Sequence, residues 1–144
     1  MKCTFCQKNT ENDWLLIKKY KYWRVELRSN QNYLGWSLVI LNRHVEDLMD
    51  ITVDERSELF RITKKLRNAI TKAFQTDHFN YASLGNKTRH LHLQVVPRYS
   101  KEVVFHGVTF IDNNWESNYS PYDKDFDVPI GIKKTIIQTI QSGL

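Results

Sequence analysis

Arg89-His90-Leu91-His92-Leu93-Gln94-Val95-Val96-Pro97 alternates polar and apolar side chains, and its period of two predicts a β-strand over residues 89–96. Because alternate side chains of a strand share one face, His90, His92 and Gln94 point one way and the leucines point into the core. We expect Pro97 to end this strand, since proline cannot donate a ladder hydrogen bond. Two imidazoles and an amide in one row would need many buried hydrogen bonds if they were only structural, so the row indicates a functional site.

The sequence before and after this strand predicts four further strands or strand-like runs and two helices. After Asp54, apolar residues recur at three- and four-residue steps (Leu59, Ile62, Leu66, Ile70 and Phe74), which predicts an amphipathic helix of about twenty residues capped by Thr52 or Asp54. Strand character is found over residues 14–18, 22–27, 36–41 and 79–84, and a short helix is predicted near residues 130–141. Strands, one long helix and more strands indicate an α+β fold.

Length and composition limit the classes of protein to consider. The 144 residues suit a single domain spanning 1–144, with a looser loop region near 100–128. Hydrophobic residues make up 41% and charged residues 26%, which are ordinary values for a soluble globular protein. The sequence contains no run of eighteen apolar residues, so no membrane span is predicted. The N-terminus has no apolar stretch of signal-peptide length. We therefore expect no membrane partner and a cytoplasmic location.

The formal net charge of +5 favours anionic partners, of which phosphates are the commonest small ones. The basic residues are spread along the chain, and those of the predicted helix are expected to form a solvated face (Lys64, Lys65, Arg67 and Lys72). Nucleic acid is accordingly an unlikely partner, and a nucleic-acid-binding domain is an alternative that rests on charge alone.

Several separated motifs resemble one known family. Residues 90–96 are similar to the motif of the histidine-triad (HIT) superfamily, His-φ-His-φ-His-φ-φ with φ apolar, in the form with glutamine last. Cys3-Thr4-Phe5-Cys6, the run from Leu38 to His44, and Pro97-Arg98-Tyr99 resemble the surroundings of that motif in small bacterial HIT proteins. The resemblance covers roughly residues 1–100. It implies a HIT-like fold, with an antiparallel sheet, one long helix and a short C-terminal helix, and it implies a homodimer.

The glutamine form also occurs in galactose-1-phosphate uridylyltransferase and the diadenosine tetraphosphate phosphorylases. The resemblance implies that His92 is the nucleophile of a nucleotidyl hydrolase or transferase. A neutral imidazole is a good nucleophile near neutral pH, and a backbone carbonyl that accepts the Nδ1 proton would leave the Nε2 lone pair free. Attack on the α-phosphorus of a dinucleoside polyphosphate or related nucleotide would give a nucleotidyl-histidine, which water, phosphate or a sugar phosphate would resolve.

Gln94 donates and accepts hydrogen bonds but carries no proton in catalysis, so we expect it to hold a phosphoryl oxygen and to require a good leaving group. The turn formed by Gly85, Asn86, Lys87 and Thr88 can offer backbone N–H groups to phosphate, and the resemblance implies phosphate contacts here. Asn80 is a further candidate for substrate binding. Arg89 and Arg98 are candidates for phosphate contacts, with surface exposure expected for at least one of them. Trp115, Tyr119 and Tyr122 could stack on a base or cover a partner subunit.

Cys3 and Cys6 have the spacing of metal ligands. His44 ends one predicted strand and His90 begins another, so neighbouring strands could bring both to the cysteines. The four side chains would form a closed tetrahedral zinc site with a structural role, and the resemblance implies such a zinc with the first histidine of the motif as a ligand. The alternative is a free cysteine pair with two capping histidines. For the chain as a whole, the alternative to an enzyme is a nucleotide-binding module with little or no turnover.

Overall fold

A computed structural model describes residues 3–7 and 13–144. Five strands form one antiparallel sheet in the order β1-β2-β3-β5-β4, and their bounds are β1 Leu16–Lys19, β2 Trp23–Leu27, β3 Ser37–Leu41, β4 His78–Ala82 and β5 His92–Arg98. Helix α1, Val53–Phe74, connects β3 to β4, and helix α2, Ile130–Gln141, follows the last strands. The α+β class with an antiparallel sheet, one long helix and a short C-terminal helix is confirmed.

Both helices pack on the same face of the sheet. Alternate residues of β2 are buried together with residues of α1 and α2 in one cluster, to which the apolar positions predicted on α1 all contribute. Each large apolar side chain buried in this way stabilises the fold by roughly 1.5–3 kcal/mol. The opposite face carries the other half of each strand, and His92 and Gln94 lie there, so the helices leave that face to the site. Among the described residues, neither helix is long and apolar enough to cross a membrane.

The start of α1 is fixed by reciprocal hydrogen bonds around Glu55. Thr52, one of the two predicted caps, accepts from the Glu55 N–H at 3.1 Å, and the Glu55 carboxylate accepts from the Thr52 N–H at 2.8 Å. Arg43 donates to both carboxylate oxygens at 2.7 and 2.8 Å. These donors hold the pKa of the buried Glu55 carboxyl at about 2, with the Arg43 hydrogen bond as the largest cause.

Both boundaries of the strand predicted over residues 89–96 differ from the prediction. The strand expected from residue 89 begins at His92, because the backbone of Leu91 turns to bond the Val45 carbonyl and the Leu41 N–H. Pro97 lies inside β5, opposite Phe79, and does not end it. β3 pairs with β5 only as far as Val95, so a missing N–H at residue 97 costs no ladder hydrogen bond.

Two further segments differ from the predictions. The run expected as a strand over residues 14–18 opens as a single 3-10 turn, Asp13–Leu15, before β1. The region expected to be loose, 100–128, contains a short hairpin of β6, Val103–Phe105, and β7, Val108–Phe110. Its turn places Gly107 at φ +80°, where glycine has no steric penalty.

We predict that Glu55→Gln lowers the free energy of unfolding by on the order of 2 kcal/mol at pH 7, because the variant loses the ion pair with Arg43. The Glu55 pKa is lowered on folding, so its contribution is full above about pH 4.5 and disappears as the pH falls towards 2. Urea denaturation at pH 7 and pH 3 measures the difference, with the exposed Glu102→Gln as the control. An equal difference at both pH values would contradict the assignment.

Candidate active site and metal centre

The imidazole of His92 is held by the backbone of its own strand. Its Nδ1 lies 2.6 Å from the carbonyl oxygen of His90. A carbonyl oxygen only accepts, so this contact requires a proton on Nδ1 and leaves the lone pair on Nε2. The backbone of His92 is also bonded to the residue that follows β4, because the Ser83 hydroxyl donates to the carbonyl of His92 at 3.0 Å. His92 therefore has the tautomer that a nucleophile needs.

Gln94 is oriented by Trp36. The Trp36 indole Nε1–H donates to the Gln94 Oε1 at 2.8 Å. An indole N–H can only donate, so the carboxamide oxygen faces Trp36 and the carboxamide nitrogen keeps both of its hydrogens for other acceptors. In the register, Gln94 is paired with Leu38 and His92 with Ile40, which places both side chains on the face without helices.

Phe5 covers this face from the N-terminal segment. Its ring lies 5.0 Å from the His92 ring and 5.7 Å from the His90 ring, both edge-on. Its carbonyl accepts from Arg24 at 2.9 Å, and Arg24 pairs with Glu26 at 2.7 Å. Between this segment and strands β1 and β2 is a cavity of about 710 Å³, whose polar lining includes Thr4, Lys19, Arg24, Glu26 and Arg28. Phe5 thus contacts His92 and also lines the cavity.

The four predicted metal ligands come together. The ligand atoms of Cys3, Cys6, His44 and His90 all lie within 4.8 Å of one another. The Nδ1 of His90 is 3.3 and 3.4 Å from the two sulfurs and 3.2 Å from the Nδ1 of His44. Distances of this length between ligand atoms fit a tetrahedral metal centre with bonds of about 2.0–2.3 Å from the metal to nitrogen and sulfur.

The protonation of His90 also suits a metal ligand. Its Nε2 lies 2.6 Å from the Leu41 carbonyl, so Nε2 carries the proton and Nδ1 presents its lone pair to the cysteines. Burial lowers the pKa of His90 below its usual range, which keeps the imidazole neutral. Both cysteines are free thiols. The two cysteines and two histidines therefore form a cluster that could hold a metal ion.

The predicted substrate-binding residues are less closely gathered. The Oδ1 of Asn80 accepts from Arg98 at 2.7 Å, which leaves only its amide hydrogens free. Arg98 is buried in an ion pair with Asp112 and is closed to substrate, whereas Arg89 is exposed. Gly85 adopts φ +65° in the loop before β5, and the exposed Asn86 and Lys87 and the half-buried Thr88 follow it. These four residues lie on the segment that leads directly to His92.

Several residues around the site were not found from the sequence as site residues. Phe5 lies between the two cysteines, and its position there was the available signal. Trp36 precedes β3 and reaches Gln94 across 58 residues of sequence, for which no local pattern exists. Arg28 lies over the Trp36 ring at 4.2 Å and donates to the hydroxyl of Tyr122. Tyr122 is therefore held by Arg28 and by an edge-on contact with Trp36.

Comparisons with known proteins agree with this geometry. Residues 9–101, well over half of the chain, match the HIT domain family. A histidine triad protein from Sinorhizobium meliloti 1021 has a similar structure, with a TM-score of 0.78, 18% identity and coverage of 99% of this chain and 100% of that one. A hypothetical histidine triad nucleotide-binding protein from Sulfolobus tokodaii strain7 is also similar, with a TM-score of 0.73 and 19% identity. The match covers 98% of this chain and 91% of that one.

A zinc-bound histidine triad family protein from Mycobacterium smegmatis is similar at a TM-score of 0.69 and 18% identity, with 99% of this chain and 93% of that one covered. At these identities the likeness establishes the fold. The search of curated protein sequences gave no match.

Proposed function

The chain belongs to the HIT domain family, and we propose that it is a nucleotidyl hydrolase or transferase that works through a nucleotidyl-histidine. Membership in this family supports, in general terms, a nucleotide-binding protein of the hydrolase or transferase kind. The observation that carries the finer proposal is the 2.6 Å contact of the His92 Nδ1 with the His90 carbonyl, which directs the Nε2 lone pair away from the backbone.

In the proposed first step, the Nε2 of His92 bonds to the α-phosphorus while the bond from that phosphorus to the departing oxygen breaks. The electron pair leaves with the departing phosphate. The imidazole becomes a nucleotidyl-imidazolium, and its positive charge is stabilised by the carbonyl that accepts from Nδ1. In the second step, the oxygen of water, phosphate or a sugar phosphate attacks the same phosphorus and releases neutral His92, and the attacking group gives up a proton to solvent.

Gln94 selects the class of leaving group. With Trp36 on its oxygen, its amide nitrogen donates to a phosphoryl oxygen and stabilises the developing charge. It cannot protonate a departing amine, so the substrates are those whose leaving group is already a stable anion. A dinucleoside polyphosphate such as diadenosine tetraphosphate, or a nucleotide sugar, meets this condition. Residues 85–88 would contact the phosphates through backbone N–H groups, and Asn80 through its amide hydrogens.

We predict that His92→Gly lowers turnover of a dinucleoside tetraphosphate by roughly a thousandfold or more, because the nucleophile is lost. The intact mass of the wild-type protein, quenched during turnover with and without added phosphate, should increase by one nucleotidyl group. His106→Gly, at an exposed turn with φ 48°, is the matched control and should keep both properties. Tight nucleotide binding without adduct or product in the wild type would favour the non-enzymatic nucleotide-binding module.

We further propose that the metal ion is zinc and that its role is structural. Four ligands complete a tetrahedral shell, so no coordination position remains for water or substrate. Zinc bound here would fix the N-terminal segment to the start of β5 through His90, and Phe5 would be fixed against His92 with it. The chain's own residues carry the proposed reaction, and the metal would hold them in place.

Protein purified without chelator is expected to contain about one zinc per chain, with X-ray absorption distances of about 2.3 Å to sulfur and about 2.0–2.1 Å to nitrogen. Cys6→Ser should reduce the zinc content and His78→Ala, outside the cluster, should not. A folded protein that stays free of metal when it is supplied with zinc would contradict the proposal.

We also propose that the chain forms a homodimer, that residues 1–144 form a single domain, and that the protein is cytoplasmic. β4 is an edge strand of the described sheet, and next to it α1 and the segment before α1 expose large apolar side chains. Phe60 is 72% exposed and Met49 is 78% exposed, and both line a cavity of about 740 Å³ that Tyr81 of β4 also lines. A second copy of the chain would cover this surface.

Sedimentation at micromolar concentration should give twice the 17.2 kDa mass of the chain. Phe60→Glu places a charge in the proposed interface and should shift the protein to the monomer, whereas Val104→Glu, at another exposed apolar residue on the β6–β7 hairpin, should not. A wild-type monomer, or an unchanged dimer in Phe60→Glu, would exclude this surface as the interface.

A further inference from the structure

Arg28 is a cation without an anion. It forms no ion pair with any residue in 3–7 or 13–144, and its Nε is buried with no hydrogen-bond acceptor there. Among these described residues, its side chain makes one hydrogen bond, which it donates to the hydroxyl of Tyr122. A guanidinium has five N–H donors, so most of its hydrogen-bonding capacity is unused.

The neighbouring arginines on this face differ from Arg28 in this respect. Arg24 is paired with Glu26, and Arg98 is paired with Asp112. Partial burial of an unpaired charge is costly, so a guanidinium retained in this state needs a compensating contact. The rings of Trp36 and Tyr122 supply part of it through cation–π contacts at 4.2 and 5.3 Å, and they also fix where the charge lies.

That position is close to Gln94. The Trp36 indole touches the carboxamide of Gln94 with its N–H and the guanidinium of Arg28 with its ring face. The two groups are therefore separated by about one indole ring. Arg28 also lines the cavity of about 710 Å³ that Phe5 lines, so a molecule that enters this cavity can reach Arg28.

We propose that Arg28 is the anchor of a second anion subsite, which binds a phosphate of the substrate other than the one that His92 attacks. This subsite rests on the proposed function, since it assumes that a nucleotide occupies this face. The planar guanidinium favours a phosphate or another tetrahedral or planar oxyanion, which it can bind through two parallel N–H donors. The second phosphate could be the next one on the 5′ chain or one attached to the sugar.

The test uses the His92→Gly protein, in which no ligand is turned over, and calorimetric titration at fixed salt. The ligands are a nucleoside 5′-monophosphate, 5′-diphosphate and 3′,5′-bisphosphate, each with adenine and with guanine. At least one doubly phosphorylated ligand should bind about tenfold or more tightly than the monophosphate, as expected for a charged hydrogen bond. Whichever ligand shows this advantage identifies the source of the second phosphate.

Arg28→Gln, made in the same background, should remove the advantage and leave the dissociation constant of the monophosphate within about threefold. Arg28→Lys should keep part of the advantage, since it retains the charge without the planar fork. Arg67→Gln, at an exposed helical arginine whose guanidinium donates to Asn68, is the matched control and should retain all of the advantage.

Two outcomes overturn the subsite alone: equal affinity for all three kinds of ligand, or an advantage that survives in Arg28→Gln. Failure of every nucleotide to bind would overturn the proposed function together with the subsite. If Arg28→Gln does not fold, Arg28→Lys decides the question, because an undiminished advantage there would exclude recognition by the guanidinium.

Discussion

The buried side chain of His90 is the constraint on which the site depends. It is fully buried, and its Nε2–H donates to the carbonyl at the end of β3, which directs the Nδ1 lone pair to the two cysteines. The carbonyl of the same residue accepts from the Nδ1 of His92. The Leu41 carbonyl thus sets the tautomer of His90, and the His90 carbonyl sets the tautomer of His92. The first histidine of the motif, His90, lies in the cluster that we propose holds a structural zinc, and His92, two residues on, is the nucleophile that we propose.

This arrangement works because the two faces of the sheet are used differently. The helices cover one face and provide the core, so the other face can carry polar groups without loss of that core. Segments far apart in sequence then cover the polar face: Phe5 lies over His92, and the loop after β7 is held down by the buried pair of Arg98 and Asp112. Removing either partner of that pair would leave a buried charge unpaired.

The local features of the fold were predictable from the sequence because their causes are local. The apolar spacing of α1, its cap at Thr52 and the alternation in β5 each depend on residues within a few positions. The cluster of two cysteines and two histidines was also predictable, since ligand chemistry restricts the choice. The contacts of Trp36 with Gln94 and of Arg28 with Tyr122 span 58 and 94 residues, and only the folded sheet brings them together. The sequence alone predicts a strand end at Pro97. The structure keeps Pro97 inside β5 because β3 no longer pairs with the strand at this residue, and that depends on the register of the two strands.

The central claim is that His90 fixes the tautomer of His92, and nitrogen-15 NMR of the imidazoles in the metal-loaded protein tests it most directly. We expect His92 to carry its proton on Nδ1, with the lone pair on Nε2, and His90 to carry its proton on Nε2. A His92 that is protonated on Nε2, or that exchanges freely between the two tautomers, would contradict the account, because the lone pair proposed to attack phosphorus would then not be held in place.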